Sequence, residues 1–165
     1  MNKINSKLGE LKLIGLACRT NNKAEMTSDN AKIGSTIEKY FSDLFVTKID
    51  NRKQPGITYC VYTDYESDFT GDYTFFIGEQ VESFDNTPKD FGQLLIPSQN
   101  YTKFTTVPGP MPKVCIDAWQ NIWAMPPNEL GGERSYLADF EIYDERAKDL
   151  KNTVLDIYIG IKNQA

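Results

Sequence analysis

The sequence predicts an α+β fold built from duplicated strand-helix-strand-strand units, which share an antiparallel sheet as a pseudo-two-fold pair with a groove between the repeats. Three observations predict it. Segments of strand and helix character follow one another as strand, helix, strand, strand, and then in that order again. Ile33 and Cys115, Ile37 and Trp119, and Phe41 and Trp123 each stand 82 positions apart, as do Phe76-Ile77-Gly78 and Tyr158-Ile159-Gly160. The chain has 165 residues, 40% of them hydrophobic, which suits a single core. The first strands of the halves do not share the offset, so two unrelated α+β halves would produce the same matches. Residues 1–165 are expected to form one domain, with repeat one over about 8–85 and repeat two over about 98–165.

Leu11 to Cys18 is an apolar run of strand type. Thr20 to Asn30 is polar and reads as a loop, with Ser28, Asp29 or Asn30 placed to cap the next helix. Ile33, Ile37, Tyr40, Phe41, Leu44 and Phe45 recur at helical spacing, and Gln54-Pro55-Gly56 turns the chain. Ile57 to Tyr65 and Tyr73 to Val81 are rich in Tyr, Val, Phe and Thr and read as paired strands joined through Asp68 to Asp72. In the second half Tyr101 to Val107 is the strand, and Pro108 to Pro112 forms a rigid turn, with Pro112 tolerable in a first helical turn. Val114, Cys115, Ala118, Trp119, Ile122 and Trp123 form a helical stripe that Pro126-Pro127 ends. Leu137 to Tyr143 and Val154 to Ile161 close the sheet across the charged loop Asp144 to Asn152.

Charge and composition remove several function classes. The formal charge is −5 and no Lys/Arg cluster is present, which argues against direct nucleic-acid binding. The chain has no histidine, which removes a Ser-His-Asp or Cys-His relay, the common zinc hydrolase sets and a proximal-histidine haem. Cys18, Cys60 and Cys115 lie far apart in apolar runs and read as buried free thiols of a reducing compartment. Leu11 to Cys18 is too short, and too broken by Lys12 and Gly15, to be a secretion signal, and no stretch reaches transmembrane length. A cytoplasmic protein without metal or other cofactor and without membrane contact is expected.

Glu141 is the residue that invites chemistry, because it sits inside Phe140-Glu141-Ile142-Tyr143. Alternation places Phe140 and Ile142 on one face and Glu141 with Tyr143 on the other. Two readings stay open. Glu141 is a solvent-facing acid on an antiparallel strand, or it is buried in an aromatic groove where its charge selects a cationic or hydrogen-bond-donating ligand. Trp119 and Trp123, one helical turn apart, are core residues or the wall of such a pocket. Tyr59, Tyr62, Tyr65, Tyr101, Phe104, Tyr143 and Tyr158 add aromatic side chains in the strands. Asp64, Glu66 and Asp68 alternate like metal ligands, but Gly71 is misplaced for an EF-hand, and a charged hairpin connection explains them. Glu129, Glu133 and Arg134 flank Gly131-Gly132 in a loop that covers a groove mouth or is simply solvated.

Three blocks, Ala118-Trp-Gln-Asn-Ile-Trp123, Ala138-Asp-Phe-Glu-Ile-Tyr-Asp-Glu-Arg146 and Asp156-Ile-Tyr-Ile-Gly-Ile-Lys162, carry a family resemblance. From Pro112 to Lys162 the chain resembles the GyrI-like effector-binding domains, the ligand-sensing module of AraC- and MerR-type transcription regulators, and especially their free-standing members. The resemblance implies the duplicated fold and a ligand groove between the repeats. It also implies a strand glutamate, here Glu141, that recognises lipophilic and often cationic compounds inside an aromatic pocket. Trp119, Trp123, Tyr143, Tyr158, Phe104 and Tyr65 are the candidate pocket residues. The expected function is therefore a non-enzymatic binder of small organic molecules that senses or sequesters them. With no room for a helix-turn-helix domain, direct transcriptional control is not expected. Two alternatives stand beside it: a hydrolase of electrophilic toxins using Glu141 as general base with a Tyr hydroxyl, and a modulator of a regulator protein partner through the acidic surface.

Overall fold

The computed structural model describes residues 1–163 and places eight strands in one antiparallel sheet. The strands are β1 (Asn2–Leu8), β2 (Leu11–Thr20), β3 (Thr58–Thr63), β4 (Tyr73–Gln80), β5 (Gly92–Ile96), β6 (Gln99–Thr105), β7 (Ala138–Tyr143) and β8 (Asp156–Ile161). Their spatial order is β1-β6-β8-β7-β3-β4-β2-β5. The trios β2-β4-β3 and β6-β8-β7 thus mirror one another about the β3–β7 seam, as a pseudo-two-fold pair requires. The offset of 82 carries Gly78 of β4 onto Gly160 of β8.

Helices α1 (Asn22–Glu25), α2 (Ile33–Ser42), α3 (Lys113–Ala124) and α4 (Pro127–Leu130) complete the fold. Tyr40 of α2 packs on Ile14, Leu16, Phe75 and Ile77, whereas α3 packs Ala118, Trp119 and Ile122 on Phe104, Ile157 and Ile159. Alternation along the strands assigns these partners to one face of the sheet. The opposite face carries its own cluster, Leu13, Val61, Phe76, Tyr101 and Phe140, all at most 3% exposed although no helix of the first two clusters joins it. Connector geometry explains that burial. Gly9-Glu10 joins β1 to β2, and Pro97-Ser98 joins β5 to β6, yet each pair of strands lies far apart in the sheet order. Two residues reach only about 10 Å, so the ends of the sheet must meet. Ser98 Oγ donates to the Leu8 carbonyl at 3.0 Å across that junction. The sheet is rolled, with one cluster inside it and α2 and α3 side by side on its outer surface.

Glycine fixes the inner packing at one point. Gly15 of β2 faces Gly78 of β4, and a Cβ on Gly15 would stand 1.8 Å from the Ile77 carbonyl oxygen. Only a residue without a side chain permits that approach.

Several local expectations need correction. β1 and β5 were unforeseen. β1 reads Asn-Lys-Ile-Asn-Ser-Lys-Leu, an edge strand with no apolar alternation. Ser28, Asp29 and Asn30 do not cap α2. The Glu25 carboxylate, from α1 inside the expected loop, accepts from the Lys32 and Ile33 N–H groups at 2.8 Å each. Helix α2 stops at Ser42, because Leu44 turns left-handed at φ 53° and Phe45 opens a 3₁₀ turn to Lys48. Pro112 is the N-cap of α3, and Pro127 starts the short α4 that Gly131 closes at φ 101°.

Candidate functional site

The β3–β7 seam runs along the floor of the groove between α2 and α3, and Glu141 sits on that seam opposite Cys60. It is 3% exposed. Antiparallel pairing sends Asp139, Glu141 and Tyr143 to the helix face while Phe140 joins the inner cluster. Four side chains from three elements converge on the carboxylate. Trp119 Nε1 donates to Oε2 at 2.6 Å and the Cys115 thiol to the same oxygen at 3.4 Å. Tyr143 Oη donates to Oε1 at 2.8 Å and Tyr62 Oη at 3.3 Å. Cys115 and Trp119 are four residues apart on α3, so both reach the same acid from one helical turn.

Burial pushes the Glu141 carboxyl above its ordinary value, and the bonds from Trp119, Tyr143, Cys115 and Tyr62 pull it partly back. Burial, and next the negative charge of Glu141, push the Tyr62 and Tyr143 hydroxyls and the Cys115 thiol up, so all three remain protonated donors. No lysine or arginine among the described residues forms an ion pair with Glu141. The acid therefore carries hydrogen bonds but no counter-charge. Beside it, Asp139 accepts from Arg134 Nη2 at 2.6 Å, Tyr65 Oη at 2.7 Å and the Gly160 N–H at 2.8 Å, a fully paired neighbour.

Behind Tyr62, Cys115 and Trp119, the partners of Glu141, lies a cavity of about 390 Å³, walled mainly by Tyr62, Tyr65, Phe69, Tyr73, Trp119 and Trp123; Glu141 itself does not border it. Glu25 and Arg134 also border it. Tyr62 and Tyr73 meet edge-on at 5.6 Å, and Tyr62 and Trp119 at 5.0 Å. A second hollow of about 390 Å³ at the other end of the groove is bordered by Ile37, Phe41, Cys60, Tyr143, Lys148 and Leu150.

Among the residues singled out from the sequence, Trp119, Trp123 and Tyr65 border the aromatic cavity, and Glu141 lies behind its wall, tied to Trp119. Tyr143 bonds Glu141 but borders the second hollow. Phe104 and Tyr158 are not brought to the cavity. Phe104 is 1% exposed in the core beneath α3, and Tyr158 is on the inner face, stacked on Phe140 at 4.8 Å. The reason is parity: Ile157 and Ile159 of β8 face α3, so Tyr158 between them points the other way. Tyr73, Phe69 and Cys115 belong to the site without having been expected in it, whereas Tyr62 was counted only among the strand aromatics and Arg134 only in the loop offered as a cover for the groove mouth. The signal for Tyr62 lies in the Cys60–Glu141 pairing, which puts it on the acid's face, and that pairing is visible only in three dimensions.

A family model described as integron-associated effector binding protein matches residues 6–161. The chain belongs to that family. An integron cassette protein from the mobile metagenome of Vibrio cholerae shares 30% identity, with a TM-score of 0.75 over 97% of this chain and 95% of that one. A Bacillus subtilis (strain 168) protein, YobU, named as a proposed transcriptional regulator, is 29% identical over 148 residues, 90% of each chain. At the level of fold alone, the solved structure of SAV2435 bound to tetraphenylphosphonium superimposes with a TM-score of 0.75 and 15% identity, over 99% of this chain and 95% of that one. The effector-binding family and the α+β sheet agree with what the three sequence blocks imply. Among the described residues no helix is long and apolar enough to cross a membrane.

Proposed function

We propose that this protein binds lipophilic cations in the aromatic cavity beside Glu141, as a GyrI-like effector-binding domain that senses or sequesters them. The observation that carries this reading is the Glu141 carboxyl group, buried at 3% exposure beside aromatic rings with no ion-pair partner among the described residues. A buried charge without an ion partner is expensive, and a cation in the cavity would relieve that cost. The rings transmit the charge. Trp119 and Tyr62 donate their polar hydrogens to the carboxylate, which enriches the ring faces that meet the ligand and strengthens cation–π contact. The family description and the tetraphenylphosphonium named for SAV2435 support the same chemical class. The YobU description supports a place in transcriptional control.

The test is titration with tetraphenylphosphonium, followed by the fluorescence of Trp119 and Trp123. Saturable quenching is expected, and Glu141→Gln should weaken binding by about tenfold or more while the protein stays folded. Equal affinity in wild type and Glu141→Gln would overturn the assignment.

A further inference from the structure

Arg134 is the charged group of the site that cation binding leaves unused. It is 8% exposed, and its guanidinium carbon sits 4.3 Å from the Tyr136 ring centroid. Nη2 is committed to Asp139. Nε and Nη1 find no hydrogen-bond partner among the described residues. Two buried guanidinium donors without an acceptor are costly and seldom kept without a use. Arg134 borders the aromatic cavity and also a neighbouring hollow of about 400 Å³. Phe69 and Trp123, parallel within 6° and 5.7 Å apart, border both as well, so the stacked pair partitions the two spaces.

Charge decides what those donors can receive. Glu141, Asp139 and the bordering Glu25 bring three negative charges and Arg134 one positive charge, so the set is net negative and calls for a cation. An anionic group on the ligand would add to that excess, whereas an uncharged oxygen satisfies Arg134 without adding to it. Spacing follows from the strand. Asp139 and Glu141 lie two residues apart on one face of β7, about 7 Å, and Arg134 stands beyond Asp139.

We propose that the effector is a cation carrying an uncharged acceptor, a carbonyl or amide oxygen, about 7–10 Å from its positive centre, to which Arg134 Nε and Nη1 donate beside the Phe69–Trp123 partition. The inference rests on the cation reading of Glu141 and adds a second recognition point to the same cavity.

Three probes that differ only in the arm test it on the full chain by calorimetry: pentyl-, 4-carbamoylbutyl- and 4-carboxybutyl-triphenylphosphonium. The carbamoyl compound should bind about tenfold more tightly than the pentyl compound, although it is the more polar, and the carboxylate more weakly than the carbamoyl. Arg134→Lys keeps a cation against Asp139 but removes the fork, and should bring the carbamoyl-to-pentyl affinity ratio down to about one. If that variant does not fold, the wild-type ratios decide alone. A carbamoyl compound no tighter than the pentyl compound overturns the Arg134 proposal. The cation site survives that result if pentyl binding still weakens in Glu141→Gln. No binding of any phosphonium overturns both readings.

Discussion

Replacing Trp119 by Phe isolates the bond on which the buried acid leans most. The indole N–H meets Glu141 Oε2 at 2.6 Å, and the side chain is 7% exposed. Above the titration range of Glu141 the substitution removes a hydrogen bond to a charged acceptor, about 2 kcal/mol, and the smaller ring forfeits about 1 kcal/mol of burial. The expected loss at pH 8 is therefore about 3 kcal/mol, or about 6–12 °C in Tm for a chain of this size. At low pH the carboxyl is protonated in both states, the bond becomes neutral, and the loss should shrink to about 2 kcal/mol. The direction follows from linkage. Burial raises the folded-state value of Glu141 above its unfolded one, so its contribution is fully present below the unfolded value and lost as pH rises through the folded value. Losing a bond that favours the charged form raises the folded value further, so the variant loses more over that window. Urea denaturation at pH 4 and pH 8, followed by the fluorescence of the remaining Trp123, measures both numbers. Trp123→Phe serves as control, since that indole makes no bond to Glu141. A loss that is the same at both pH values would refute the charged hydrogen bond, and with it the picture of an ionised acid held under the rings.

Binding of tetraphenylphosphonium should release protons at pH values where the buried Glu141 is still partly protonated, above the ordinary carboxylate range, because a cation favours the charged form of an acid whose value burial has raised; calorimetry in two buffers of different ionisation enthalpy reads this as unequal apparent heats, and equal heats at every pH would count against it. Gly15→Ala should cost about 3 kcal/mol or more, since the new methyl meets the Ile77 carbonyl at 1.8 Å and the paired backbones must part; an unchanged thermal midpoint would contradict the close approach described for β2 and β4.

Much of the fold was legible because its signals are local. The helical recurrence of Ile33, Ile37 and Phe41 and that of Cys115, Trp119 and Trp123 locate α2 and α3, and the aromatic, β-branched runs locate β3 and β4. The edge strands escaped notice because β1 is held by backbone pairing to β6, from Asn2 opposite Thr105 to Leu8 opposite Gln99, and needs no apolar pattern of its own. The cap of α2 escaped because Glu25 reaches it from the preceding helix. At the site, the identity of the acid and of one wall could be read, since Glu141 interrupts an apolar strand and two tryptophans share a helix face. The remaining wall could not. Whether Tyr62 or Tyr158 faces Glu141 is set by strand register, and a slip of one residue exchanges the faces. Arg134 was indistinguishable from its solvated neighbours Glu129 and Glu133 until Asp139, five residues on, proved to be its partner.

The crossing of the two outermost strands has a mechanical consequence. β1, which precedes the first unit, is stitched to β6 of the second, and β5, which precedes the second, to β2 of the first. Each unit therefore wears the other's selvedge, and neither half-chain can complete its own fabric. An arriving molecule cannot pry the units apart like a clamshell without unpicking both hems. Room for guests of different shape has to come from pivoting side chains and from the segments that carry Glu25 and Phe69, over a floor that stays taut.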